Sequence, residues 1–179
     1  MSIRRVTAAV GSAVFFLVAP GTVVGLIPWL LTGGWQLRQL VPPYWAPIRV
    51  LGAILLVAGL IVLVQAFVRF VVEGLGTSAP IAAPERLVVG GLYRYVRNPM
   101  YVAVLAAIIG QALLLGQLGL LLYAAALWLI FGAFVRWYEE PTLRRRFGAD
   151  YEAYRRAVPA WWPRLRPWKP SGPDEPGAR

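Results

Sequence analysis

Four long apolar runs dominate this chain, at 6–31, 48–72, 99–116 and 119–138. About 20 consecutive apolar residues suffice to cross a bilayer core. Hydrophobic residues make up 59% of the chain and charged residues 15%, whereas a soluble domain carries about 25% charge. The excess apolar surface therefore faces lipid. The expected fold is an all-α integral membrane protein with four transmembrane helices in one domain, 1–168.

The punctuation between the runs fixes the rest of the outline. The basic N-terminus leads into a run longer than the apolar stretch of a signal peptide, so it reads as a first transmembrane helix. Pro20-Gly21 falls near the middle of that run and predicts a kink. The loop 32–47 is flanked by Trp29, Trp35, Tyr44 and Trp45, which suit an interfacial belt. Arg69 and Glu73 are four apart near the end of the second run and can pair on one helix face. The connector 74–98 is too polar to span. Only Gln117 and Leu118 separate the glycines that bound the third and fourth runs, which makes these two runs a tight antiparallel hairpin. In 141–158, Leu143, Phe147, Tyr151, Tyr154 and Val158 form one apolar stripe of an amphipathic helix. That stripe suits either the membrane surface or the protein's own loops. Residues 169–179 are rich in Pro, Gly and charge and read as a disordered tail.

The formal charge is +10, from 18 basic and 8 acidic residues. The basic residues, all Arg except Lys169, lie beside the apolar runs, which points to membrane flanks rather than to nucleic acid. With both termini and the long connector in the cytoplasm, the positive-inside rule is satisfied. The chain has no Cys and no His. This excludes disulfides, thiolate catalysis, haem and the usual zinc sites, and also Ser-His-Asp chemistry. No metal is expected. A site must run on Arg, Glu, Asp, Tyr, Asn and backbone groups.

Two segments can carry such a site. Gly91-Leu-Tyr-Arg-Tyr-Val-Arg-Asn-Pro-Met-Tyr101 opens the third run, and Arg136-Trp-Tyr-Glu-Glu-Pro141 closes the fourth. A hairpin brings Tyr93, Arg94, Arg97, Asn98 and Tyr101 near Arg136, Glu139 and Glu140. Asn98 suits an N-cap and Pro99 the first helical position. A helix N-terminus there attracts anions, including the carboxylate of a cofactor such as S-adenosylmethionine (SAM). Glu139 and Glu140 fall where a helix dipole disfavours negative charge. Three readings fit them: a solvated cluster with Arg136, a site for a bound sulfonium or amine, or the start of a new helix at Pro141 with Glu140 as its cap.

Together these blocks resemble the isoprenylcysteine carboxyl methyltransferase and phospholipid methyltransferase family, especially its bacterial members. The resemblance covers about 76–163. It rests on Leu87-Val88, Gly91-x-Tyr93, Arg97-Asn98-Pro99-x-Tyr101, Glu139-Glu140, Phe147-Gly148-x-x-Tyr151-x-x-Tyr154 and Val158-Pro159. It implies a bundle of transmembrane helices whose last hairpin and C-terminal segments enclose SAM. It further implies cofactor contacts at Leu87, Val88, Tyr93, Asn98, Pro99, Tyr101 and Glu140, with Arg136 beside a lipophilic methyl acceptor. A bacterial inner membrane is the implied location. The family often has His where this chain has Asn98, which can hydrogen-bond but cannot titrate. The Gly often found two residues after the motif Tyr is Ala103 here. The first two runs show no family signature.

The implied reaction is in-line methyl transfer from SAM. A carboxylate acceptor needs no base and would be oriented by Arg136. An amine must lose a proton, which Glu139 or Glu140 can accept. The competing readings are a membrane reductase using a nicotinamide cofactor and a non-enzymatic membrane scaffold.

Overall fold

The computed structural model describes residues 18–38, 45–73 and 87–169, the side chains of 70–73 excepted. The start of the first apolar run, Tyr44, the Arg69–Glu73 pairing, the connector before Leu87 and the tail beyond Lys169 lie outside the described residues. Within them every regular element is a helix. Helix α1 is Val18–Leu31 and α3 is Pro99–Leu115, both apolar and short. Helix α2 is Trp45–Glu73. Helix α4, Leu118–Phe134, continues through a π-helical turn, Val135–Glu139, into α5, Glu140–Ala157, which is broken by a kink at Gly148 (φ 51°). Two helices are long and apolar enough to cross a bilayer: Trp45–Arg69 and the helix that begins at Leu118.

Proline chemistry shapes α1. After Pro20 the helix widens to a π-helix over Gly21–Leu26. Ile27 N–H then donates to the Thr22 carbonyl, five residues back, and Pro28 has no N–H to give. The carbonyls of Val23 and Val24 lose their helical donors. Neighbouring helices supply them: Tyr123 Oη donates to Val23 O at 3.0 Å, and Gln111 Nε2 to Val24 O at 2.8 Å. Within lipid, freed backbone groups must find such partners.

Helices α2 and α3 pack backbone to backbone. A Cβ added at Gly59 would come within 2.8 Å of Ala107 N, and one at Gly110 within 2.7 Å of Gly52 O. Small residues permit this approach where no hydrophobic force separates helix from lipid. Around the contact, Leu63, Ala103, Val104, Ala107 and Ile108 form the main core. The opposite faces expose Ile54, Val57, Ile61 and Val68 on α2 and Leu122, Leu129 and Ile130 on α4. Such outward apolar faces fit a membrane protein.

Helix α3 ends at Gly116, whose φ of 71° is the left-handed conformation glycine adopts without strain. Gln117 N-caps α4. The first turn of α3 contacts the end of α4, since Tyr101 stacks on Phe131 with ring centroids 4.7 Å apart.

The apolar stripe of α5 faces the protein, not a membrane surface. Tyr151, Tyr154 and Val158 are buried among Leu87, Val89, Leu143, Phe147 and Trp168, a second core beside the helices. The connector residues 87–89 supply one wall of it, so the stripe is satisfied internally. Beyond α5, residues 158–169 form an irregular strap that runs back along the connector. Arg97 N–H donates to Pro159 O at 2.9 Å, Arg164 N–H to Tyr95 O at 2.9 Å, and Trp168 N–H to Arg94 O at 2.9 Å.

Candidate functional site

The start of α3, the π-turn and the strap meet at one place. Pro99, fully buried, opens α3. Asn98 precedes it, yet its side chain does not cap the helix as the sequence suggests. Its Nδ2 donates instead to Ala160 O at 3.1 Å, and its backbone N–H to the same carbonyl at 3.3 Å. The strap thus claims the amide that would otherwise turn inward. The first i→i−4 bond of α3 is Val102 N–H to Asn98 O, so the N–H groups of Met100 and Tyr101 lie ahead of the helical ladder.

Tyr101 reaches from this turn to the π-turn. Its hydroxyl donates to Glu139 Oε2 at 3.3 Å, and Trp161 of the strap lies 6.4 Å away, centroid to centroid. Glu139 and Glu140 do not terminate a helix, as the hairpin reading expects. The chain stays helical through them because the wider π-turn relieves Pro141. In a regular helix that ring would clash with the carbonyl four residues back. π-turns inserted in α-helices often mark functional positions, and this one carries Arg136 and Glu139.

The two glutamates have unequal surroundings. Glu140 is buried, and Arg97 Nη1 donates to its Oε1 at 2.8 Å. Its Oε2 is less tightly held, 3.5 Å from Arg155 Nη1 and 4.0 Å from Arg136 Nη1. Arg97 also donates to Tyr151 Oη at 3.0 Å and to Val158 O at 3.0 Å. One guanidinium therefore ties α3, α5 and the strap to Glu140. Arg136 points mostly outward, with 70% of its side chain exposed.

Leu87, Val88 and Tyr93 approach from the connector. Leu87 packs on the Tyr151–Tyr154–Val158 core, Val88 is buried, and the Tyr93 carbonyl accepts the Tyr154 hydroxyl at 2.6 Å. Helix α5 lies past the apolar part of its long helix. There burial raises the Tyr151 and Tyr154 hydroxyls above the ordinary tyrosine range, against the lowering effect of Arg97. Both stay neutral at physiological pH, Tyr151 accepting from Arg97 and Tyr154 donating to the Tyr93 carbonyl.

Asn98, Pro99, Tyr101, Arg136, Glu139 and Glu140 are thus brought to one end of α3 and α4, while Leu87 belongs to the wall behind them. The sequence reading gave no role to Arg155 or Trp161, placed Tyr151 in the stripe and a motif block but not in the site, and placed Arg97 in the cluster without a task. The signal for Arg97 was its place two residues before the α3 start, in the motif block itself. Nothing local marked Trp161, whose neighbour Tyr101 is distant in sequence.

Residues 47–150 match the family model described as phospholipid methyltransferase. The match takes in α2, where the sequence blocks showed no signature, and it ends before the strap. Over 78 residues the chain is 40% identical to the protein-S-isoprenylcysteine O-methyltransferase of Schizosaccharomyces pombe, which covers 43% of this chain and 33% of that protein. The chain thus aligns with about a third of that relative's length. No solved structure gives a significant match. With more than half its length matched, and with the motif residues of α3 and the π-turn converging in space, the chain belongs to the phospholipid methyltransferase family.

Proposed function

We propose that this protein transfers the methyl group of SAM to a lipophilic acceptor, the carboxylate or amine of an isoprenoid or phospholipid, at the cytoplasmic face of a bacterial inner membrane. In this reading all four helices span, α3 and α4 form the antiparallel hairpin, and the polar cluster lies at its cytoplasmic end. The observation that carries it is the meeting of Asn98, Pro99 and Tyr101 with Glu139 and Glu140, within the stretch the family model matches.

The residues present suit SAM. Its carboxylate would take the N–H groups of Met100 and Tyr101 ahead of the α3 ladder, where the helix dipole favours an anion. Its cationic groups would face Glu139, whose Oε2 accepts the Tyr101 hydroxyl, and Oε2 of Glu140, the looser of that carboxylate's oxygens. Leu87, Val88 and Tyr93 would form the wall on the connector side. SAM supplies the electrophilic methyl group on a sulfonium. The protein's own work is alignment and exclusion of water, with Phe131 stacked on Tyr101 and Trp161 beside it. Arg136, exposed beside Glu140, would orient an incoming carboxylate. Glu139 would take the proton from an amine.

Calorimetry on the detergent-purified protein tests the cofactor assignment. A hydrogen bond to a charged group contributes about 1.5–3 kcal/mol, so Glu140→Ala and Tyr101→Ala should weaken SAM binding roughly ten- to hundredfold. Arg136→Ala should leave SAM affinity near wild type and lower acceptor turnover. Unchanged SAM affinity in both of the first two variants, in folded protein, would refute the assignment.

A further inference from the structure

The strap presents a surface that the methyl-transfer reading does not use. Trp162 is 80% exposed and Leu165 is 99% exposed. Two large apolar side chains so open to solvent are costly in water. Arg166 and Lys169 are exposed beside them. Both residues sit on a backbone held in place, since Arg164 N–H bonds Tyr95 O, Trp168 N–H bonds Arg94 O, and Arg164 Nη1 donates to Ala157 O at 2.9 Å. The exposure is therefore built into a fixed segment.

Its height relative to the helices is also set. Trp161, next to Trp162, lies against Tyr101 in the first turn of α3. Helix α3 has 17 residues, about 26 Å of helix, close to the thickness of a bilayer's hydrocarbon core. A segment level with the first turn of α3 is thus at the edge of the hydrocarbon core, next to the headgroups. Trp favours that layer, and basic residues near it gain about 1 kcal/mol each from anionic lipid. Over 158–169 the chain carries Arg164, Arg166 and Lys169 and no acidic residue, so the strap's charge complements an anionic surface.

We infer that the strap docks into the headgroup layer of the surrounding anionic bilayer, with Trp162 and Leu165 inserted and Arg166 and Lys169 on lipid phosphates. The strap then closes the polar site from the bilayer side. The inference requires the membrane reading but not methyl transfer.

The chain has no cysteine, so Leu165→Cys places a single thiol for a nitroxide spin label, and Arg145→Cys on the exposed side of α5 is the aqueous reference. The full protein is reconstituted in nanodiscs of phosphatidylglycerol with phosphatidylcholine. Collisions with a water-soluble nickel chelate should be at least about fivefold rarer at 165 than at 145. Adding Arg166→Gln should relax that protection by about fivefold, the equivalent of one basic residue's ~1 kcal/mol at an anionic surface. Equal nickel access at 165 and 145 would overturn the inference. So would protection at 165 without a matching rise in collisions with lipid-soluble oxygen relative to 145, because the label would then be shielded by protein rather than lipid.

Discussion

Arg97 shows how much one side chain can organise. Its guanidinium joins Glu140, Tyr151 and the Val158 carbonyl, and its backbone N–H holds Pro159. Both members of the Arg97–Glu140 pair are nearly buried. Removing one partner of a buried pair costs about 3–5 kcal/mol, because the other charge is left uncompensated. Arg97→Met should therefore destabilise the protein by about that amount, read from unfolding in mixed detergent micelles. Arg155 lies 3.5 Å from the same carboxylate and places the effect toward the lower end. Arg136→Met, on an exposed side chain 4.0 Å from Glu140, should change stability by less than about 1 kcal/mol. The residue types at this site were legible from the motif blocks. Their partners were not, because Arg97 and Glu140 are 43 residues apart.

At the scale of elements, the extents of α2, α3 and α4 could be read from apolar run length. Expected starts and ends for α3 and α4 fall within a residue or a few of those observed, since Pro99 and Gly116 punctuate the backbone directly. What holds the helices to each other was less legible. Glycines 52, 59 and 110 look unremarkable in an apolar run, and their meaning comes from the facing helix. A side chain at Gly110 would meet the backbone of Leu56 and Gly52. Gly110→Leu should push α2 and α3 apart and abolish a stable fold, visible as loss of monodisperse protein in detergent. Gly119→Ala, where an added Cβ meets nothing, should be tolerated. Gln111→Leu should cost about 1–3 kcal/mol, the penalty of leaving the Val24 carbonyl unsatisfied away from water.

For the whole molecule, the decisive feature is the return of the chain after α5. The strap crosses the connector and brings Trp161 beside Tyr101, although the family match stops at residue 150. Deleting 161–169 should leave the helices folded, by far-ultraviolet dichroism, and weaken SAM binding by at least about tenfold, a step of 1.4 kcal/mol. Intact affinity in the truncated protein would show that the strap is not part of the cofactor site.

The amphipathic stripe of α5 marks the boundary between what sequence and tertiary structure decide. Its spacing pointed to one continuous helix, which the structure breaks at Gly148, but the apolar face itself and the helical, membrane-type character of the runs were legible, because periodicity and hydrophobicity are local properties. The motif order specified the family. The stripe's partner, however, was open between a bilayer and the protein's own loops, and both would bury the same residues. Only the tertiary structure chose, by laying Leu87, Val89 and Trp168 on Tyr151 and Tyr154. The same holds for Asn98, whose amide serves the strap rather than the helix end. Such choices depend on contacts between segments far apart in the chain, and the energy that settles them exists only once those segments have met.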